Sequence, residues 1–137
     1  MSSEVQAFAS GFPITLLHAG ITFGLLIVGC AMFLILSRFK VITRIQEGNS
    51  AAAVSFGGII LGLAIPLAMS LNASTSLIEI GVWGAATIAV QLLAFWLIDM
   101  LLAGLPQRIA DGEVSAAVLL VAAKLSVALI LAAAVAG

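Results

Sequence analysis

The chain has 137 residues, of which 64% are hydrophobic and only 8% are charged, and its mean hydropathy is +1.32. So small a polar fraction cannot cover the surface of a water-soluble globule, and a net charge of -1 offers neither a basic surface for nucleic acid nor an acidic surface for a cationic partner. We therefore expect an integral membrane protein whose solvent is the lipid bilayer.

Four apolar segments of the sequence are long enough to cross that bilayer. Its hydrocarbon core is about 30 Å thick and a helix rises about 1.5 Å per residue, so one crossing requires roughly 20 apolar residues. The segments comprise residues 12–36, 51–71, 77–103 and 115–136. Lipid offers the backbone no hydrogen-bond partners, and the alternating pattern of membrane strands is absent. The sequence therefore predicts an all-α membrane protein with four transmembrane helices in a single transmembrane domain, residues 1–137.

The positions of the basic residues indicate the orientation. The connections after the first and third segments contain Arg38, Lys40, Arg44 and Arg108, whereas the two terminal regions and the connection at 72–76 contain no lysine or arginine. Basic connections remain on the cytoplasmic side, so we expect both termini on the outer side. No basic residue precedes the first segment, and we expect this segment to be a retained helix rather than a signal peptide.

An internal repeat relates the two halves of the chain. Residues 44–54 read RIQEGNSAAAV and residues 108–118 read RIADGEVSAAV, so arginine, isoleucine, glycine, two alanines and valine recur without a gap. Because two crossings return the chain to its starting side, the two units have parallel orientation. We predict two tandem helical hairpins, repeat one at about residues 12–73 and repeat two at about residues 77–137.

The motif around this repeat also resembles a known family. The sequence EGNSAAA at 47–53 continues through Gly57, Gly58 and Gly62 to IPL at 65–67, VWG at 82–84 and VQLL at 90–93. Over nearly the whole chain this pattern resembles the DUF350 family of small bacterial inner-membrane proteins. The resemblance implies a location in the bacterial inner (plasma) membrane, two tandem two-helix repeats, and ATP-grasp-like or phage-shock-like partners. It implies no established biochemical activity.

Small residues indicate how the predicted helices pack. Gly20 and Gly24 in the first segment, and Gly58 and Gly62 in the second, form small-xxx-small pairs that allow two helix backbones to approach closely. Pro66 lacks a backbone donor and its ring clashes with the carbonyl of Gly62, so we expect the second helix to bend there. Such a bend serves either as a tolerated kink or as a gating hinge.

The first segment presents two opposite faces. Thr15, His18, Thr22 and Gly29 fall within a narrow arc at 3.6 residues per turn, and Gly20 and Gly24 project on the other side. One protomer can cover only one of these faces, so we predict a homo-oligomer in which the second face meets another copy. For His18 two roles stay open, a hydrogen bond to a neighbouring helix or to interfacial water and a proton relay.

Charged residues within the spans are the strongest functional candidates. An unpaired charge at mid-membrane costs about 2.5–3.5 kcal/mol, so Asp99 and Lys124 are each expected to have a partner. Folding the chain back near residue 110 places them about one helical turn apart, and Thr87 and Gln91 extend a polar stripe from Asp99 along the third segment. These residues form either a buried ion pair that fixes helix register or a polar pathway for an ion, a proton or a small solute.

The remaining sequence features predict no enzyme activity. Neither a nucleophile with its base and acid, nor a cluster of metal ligands, nor a phosphate-binding glycine loop can be identified, so we expect no catalytic residue, no metal site and no cofactor. The leading hypothesis is an oligomeric ion or small-solute pathway of the bacterial envelope. The alternative is a non-transporting membrane scaffold that recruits cytoplasmic or envelope partners through the basic loop at residues 37–50. A small-multidrug-type exporter fits poorly because the first segment has no central carboxylate.

Overall fold

The computed structural model describes residues 2–37 and 40–137, and every regular element among them is an α-helix. In chain order the helices are α1 (Ser3–Leu36), α2 (Val41–Gln46), α3 (Ser50–Ala73), α4 (Leu77–Leu101), α5 (Leu105–Ala110) and α6 (Val114–Ala136). Within the described residues, α1, α3, α4 and α6 are long and apolar enough to cross a membrane. The predicted all-α class with four candidate membrane-spanning helices is confirmed.

Three of these helices begin and end within two residues of their predicted positions, whereas α1 begins nine residues earlier than expected. The reason is an N-terminal cap: Ser2 Oγ accepts a hydrogen bond from the Val5 amide at 3.3 Å, which satisfies one of the free donors at the helix start. With 34 residues, α1 is about 51 Å long. It is therefore much longer than the hydrocarbon core is thick.

The two repeated sequence segments have the same local backbone structure. The Gly48 amide donates to the carbonyl of Ile45 at 3.0 Å, and the Gly112 amide donates to the carbonyl of Ile109 at 2.9 Å. Both glycines have a positive φ, +89° and +94°, which a residue with a Cβ rarely adopts. In each copy a six-residue helix precedes this turn and a spanning helix begins two residues after it. The arrangement of the whole chain as two tandem hairpins stays a prediction.

The most extensive helix contact joins α3 and α6. The two helices run in the same direction, because Asn49 at the start of α3 donates to the carbonyls of Ile109 and Ala110 just before α6, and Gly58 farther along α3 meets Val121 farther along α6. A Cβ added to Gly58 would lie 2.5 Å from Val121 Cγ2. The helix backbones are thus close enough here that only glycine fits.

Glycines also allow α4 to pack closely against α3 and α1. A Cβ added to Gly62 of α3 would lie 2.7 Å from Cζ of Phe95, and one added to Gly84 of α4 would lie 2.5 Å from Cδ1 of Leu25 on α1. The predicted close approach at Gly58 and Gly62 is therefore a contact within the protomer. Pro66 is buried inside α3, which continues from Ser50 to Ala73.

The first helix lies at the periphery of the bundle. Gly29 is its buried residue, and a Cβ added there would contact Leu63 and Ile88 at 3.2 and 3.4 Å. Positions Gly20 and Gly24 have no atom within 4 Å of an added Cβ. The face of α1 that contains this glycine pair is therefore directed away from α3 and α4.

Replacing Gly58 with alanine should lower the free energy of unfolding by about 1–3 kcal/mol, because the new methyl group overlaps Val121 and overpacking has a cost of this size. Chemical unfolding of the protein in detergent micelles measures this loss. Gly57→Ala is the matched control, since an added Cβ has nothing within 4 Å there. In the Gly58→Ala background, Val121→Ala should recover part of the loss. Equal losses for Gly57→Ala and Gly58→Ala would contradict the close approach of α3 and α6.

Candidate functional site

Asp99 and Lys124 lie side by side where α4 packs against α6. The Nζ atom of Lys124 is 2.9 Å from Oδ1 of Asp99, and the exposed fraction is 3% for the lysine side chain but 31% for the aspartate side chain. A buried ammonium group needs a counter-charge because it has lost its hydration. Asp99 provides that charge, while its own carboxylate remains partly accessible.

Two phenylalanine rings complete the surroundings of the Lys124 ammonium group. Its Nζ atom lies 5.5 Å from the centroid of the Phe33 ring on α1 and 5.4 Å from the centroid of the Phe95 ring on α4. Both distances are within the roughly 6 Å over which an aromatic ring attracts a cation. Lys124 of α6 therefore connects three spanning helices, α1, α4 and α6.

A cleft of about 930 Å³ opens beside this ion pair. It lies at the end of the bundle that contains α2 and α5, which we call the basic end. Apolar side chains form most of its wall, and its charged lining residues within the described part of the chain are Arg44, Asp99 and Lys124. This volume lies within the range found for ligand-binding clefts, and the wall combines apolar side chains with a few polar groups.

Further polar side chains are buried along the inner face of α4. Thr87 is 4% exposed and Gln91 is fully buried. Neither amide atom of Gln91 has a hydrogen-bond partner among the described residues. Gln91 lies eight residues from Asp99, which corresponds to about 12 Å along the helix. The polar stripe of α4 thus begins at the cleft and continues into the bundle.

Ser70 on α3 is a buried polar residue that the sequence analysis did not single out. It is 2% exposed, and its Oγ finds no hydrogen-bond partner in the described part of the chain. The spacing in the sequence could have predicted its burial, because residues four apart share a helix face. Such a four-residue spacing relates Gly58, Gly62, Pro66 and Ser70. A serine that continues a row of packing glycines is expected to face inward with them.

His18 lies apart from the ion pair. It is half-buried on α1, fifteen residues before Phe33, which corresponds to about 22 Å along the helix. Thr22 Oγ1 donates to the His18 carbonyl at 2.9 Å, and Thr15 Oγ1 donates to the Gly11 carbonyl at 3.2 Å, so both threonines bond to their own helix. Within residues 2–37 and 40–137, His, Cys, Asp and Glu side chains form no group of three that could hold a metal ion.

The basic residues differ in their partners. Lys40, Arg44 and Arg108 are all exposed, and Arg38 lies outside the described residues. Arg108 forms a two-pronged ion pair with Glu113, in which Nε donates to Oε2 at 2.6 Å and the terminal Nη2 donates to Oε1. These hydrogen bonds lower the pKa of Glu113 and raise the pKa of Arg108. Both members of this pair are therefore charged at neutral pH.

Replacing Asp99 with asparagine should destabilise the protein by about 3–5 kcal/mol, because it leaves the ammonium group of Lys124 buried without a counter-charge. Lys124→Met should destabilise the protein less than Asp99→Asn does. The carboxylate that it leaves unpaired borders the cleft and can be hydrated there. The double variant should be more stable than Asp99→Asn alone. The stability of all three variants is measured in mixed micelles by raising the fraction of denaturing detergent and following the loss of helix by circular dichroism. Strictly additive losses would show that the two side chains are not coupled.

Comparison with known proteins places this chain in a family. A family model described as Domain of Unknown Function (DUF350) matches residues 7–135. The UPF0719 inner membrane proteins YjfL of Escherichia coli strain K12 and of Escherichia coli O157:H7 are each 29% identical to the chain over 72 residues, 53% of this chain and 54% of the relative. The match thus spans about half the length of these curated relatives, and no solved structure matches the chain significantly. Because the family model covers nearly all of the sequence, the protein belongs to the DUF350 family, as its sequence motifs predicted.

Proposed function

We propose that this protein is a non-enzymatic component of the bacterial inner membrane that forms a polar pathway for an ion or a small solute. The main support is the Lys124–Asp99 pair at the wall of a cleft that opens at the basic end. Beyond the pair, Gln91 provides a fully buried carboxamide. The inner-membrane location is supported by the names of the YjfL relatives.

The buried polar groups favour a pathway over a purely structural ion pair. An ion pair that only fixes register needs no polar groups beyond Asp99 and Lys124. Gln91 and Ser70 nevertheless place polar atoms in the bundle without a partner among the described residues, and each such atom costs about 1–3 kcal/mol. A polar solute that hydrogen-bonds to these groups offsets that cost.

The polar groups are also spread along the bundle axis. Gly62 packs on Phe95 near the level of Lys124, and Ser70 lies eight residues farther along α3, about 12 Å closer to the opposite end. The pathway therefore runs from the cleft past Lys124 and Gln91 towards Ser70. In this pathway the accessible carboxylate of Asp99 attracts a cation, and the buried charge of Lys124 limits its passage.

The orientation follows from the basic end. It contains Lys40, Arg44 and Arg108, and loops with an excess of lysine and arginine stay in the cytoplasm. We therefore place the cleft on the cytoplasmic side and both termini on the outer side. A solute would enter the cleft from the cytoplasm.

The outward face of α1 supports a homo-oligomer. Gly20 and Gly24 have open space around them in the protomer, and such a glycine pair is suited to close contact with a second helix. In native membranes, Gly20→Leu with Gly24→Leu should reduce chemical crosslinking between copies, because two large side chains keep the helices apart. A parent protein that gives only monomer at every crosslinker concentration would contradict the oligomer.

The pathway is tested by flux into proteoliposomes that contain the purified protein, with potassium and protons as the probes. Asp99→Asn and Gln91→Leu should each reduce the flux at least tenfold, because each removes a polar group at which the solute is stabilised. The matched control is Ser126→Ala on the exposed surface of α6, where the hydroxyl bonds to its own helix. It should conduct like the parent.

The scaffold hypothesis makes the opposite prediction in the same experiment. An oriented, oligomeric parent protein that conducts neither probe nor a panel of small polar solutes would overturn the pathway. The alternative would then be a scaffold that recruits ATP-grasp-like or phage-shock-like envelope partners. Its contact surface would include the exposed side chains of Lys40 and Arg44.

A further inference from the structure

Part of the wall of the cleft at the basic end consists of side chains that face out of the bundle. Its wall includes Leu36 on α1 and Trp96 and Met100 on α4, which are 70%, 56% and 57% exposed. These apolar side chains are on helices that cross the membrane, so the bilayer is the solvent that meets them. Lipid can therefore reach this part of the wall.

Arg44 and Arg108 occupy equivalent positions in the two repeats, but they differ in their ion-pair partners. Arg108 is paired with Glu113 five residues later. The corresponding residue of the first repeat is Asn49, whose side chain instead caps α3 by accepting from the Ala52 amide at 3.0 Å and donates to the carbonyls of Ile109 and Ala110. Asn49 is therefore neither charged nor available to the guanidinium group of the first repeat.

Arg44 consequently has no ion-pair partner among the residues that the structure describes. It lines the cleft, whereas Arg108 does not. The other two charged lining residues, Asp99 and Lys124, neutralise each other at 2.9 Å. Among the charged lining residues that the structure describes, Arg44 is therefore the one without an ion-pair partner, and most of the described wall is apolar.

We propose that this cleft binds an anionic phospholipid, with the phosphate at Arg44 and an acyl chain along the apolar wall formed by α1 and α4. Guanidinium groups bind phosphate oxygens through paired hydrogen bonds, and basic pockets between membrane helices at the cytoplasmic side are suited to acidic head groups. This lipid site shares the cleft with the proposed solute pathway, but it depends on Arg44 and the lipid-facing wall, and its binding is measured without conduction.

The experiment measures lipid bound to the purified full-length protein. The protein in detergent is incubated with equal amounts of phosphatidylglycerol and phosphatidylcholine of matched acyl chains, and the bound lipids are quantified by native mass spectrometry. The parent and Arg108→Gln should retain phosphatidylglycerol in preference to phosphatidylcholine. Arg44→Gln should retain about fivefold less phosphatidylglycerol, and Arg44→Lys should retain most of it. Helix content and elution volume of each variant are measured in parallel.

A second pair of variants tests the apolar part of the site. Ser55 lines the cleft, and Ser55→Trp should reduce retention of both lipids by filling it, whereas Ser126→Trp on the exposed surface of α6 should not. The proposal is overturned if Arg44→Gln binds like the parent, if Arg108→Gln loses as much as Arg44→Gln, or if the parent retains both lipids equally. Displacement of phosphatidylglycerol by excess inorganic phosphate alone would also overturn it, because the site would then recognise a soluble anion.

Discussion

The ammonium group of Lys124 has to be neutralised inside an apolar bundle, and the relative positions of three helices depend on how this is done. Asp99 supplies the opposite charge at 2.9 Å, and Phe33 and Phe95 present their rings to the same cation. If α4 and α6 moved by a turn relative to each other, both charges would be left without compensation in hydrocarbon. If α1 moved by a turn, the ammonium group would lose the ring of Phe33. The same contact leaves the Asp99 carboxylate at the edge of the cleft, so the group that neutralises Lys124 also remains partly accessible.

Much of the fold could be predicted because few physical constraints decide it. The thickness of the hydrocarbon core sets the length of a crossing, which is why α3, α4 and α6 lie where hydropathy predicts them. The turn after each short helix requires a positive φ, and the repeated glycines at positions 48 and 112 provide it. Residues 3–11 of α1 precede the predicted segment, since hydropathy locates the part of a helix that is in lipid and the cap at Ser2 lies outside that part.

The candidate site was less predictable because its parts come from distant positions in the chain. The distance between Asp99 and Lys124 depends on one short connection, so simple hairpin geometry brings them together. Phe33 belongs to a helix far away in sequence, and only the packing of α1 against the bundle brings it to the same ammonium group. The cleft depends on where α5 lies, and no periodic pattern encodes that. The difference between Arg44 and Arg108 becomes visible only when the partner of each is known.

The length of α1 has a geometric consequence for the side of the membrane on which the N-terminus lies. A helix of about 51 Å would have to tilt by more than 50° to fit within about 30 Å of hydrocarbon, and spanning helices tilt by at most about 40°. Even at that limit about 12 Å of helix, roughly eight residues, is left over. Residues 3–10 are of this length and include Glu4, Gln6 and Ser10. These polar residues favour the first two turns of α1 as the part that extends beyond the hydrocarbon core, and Phe8 in this part is stacked on Phe12 at 4.9 Å.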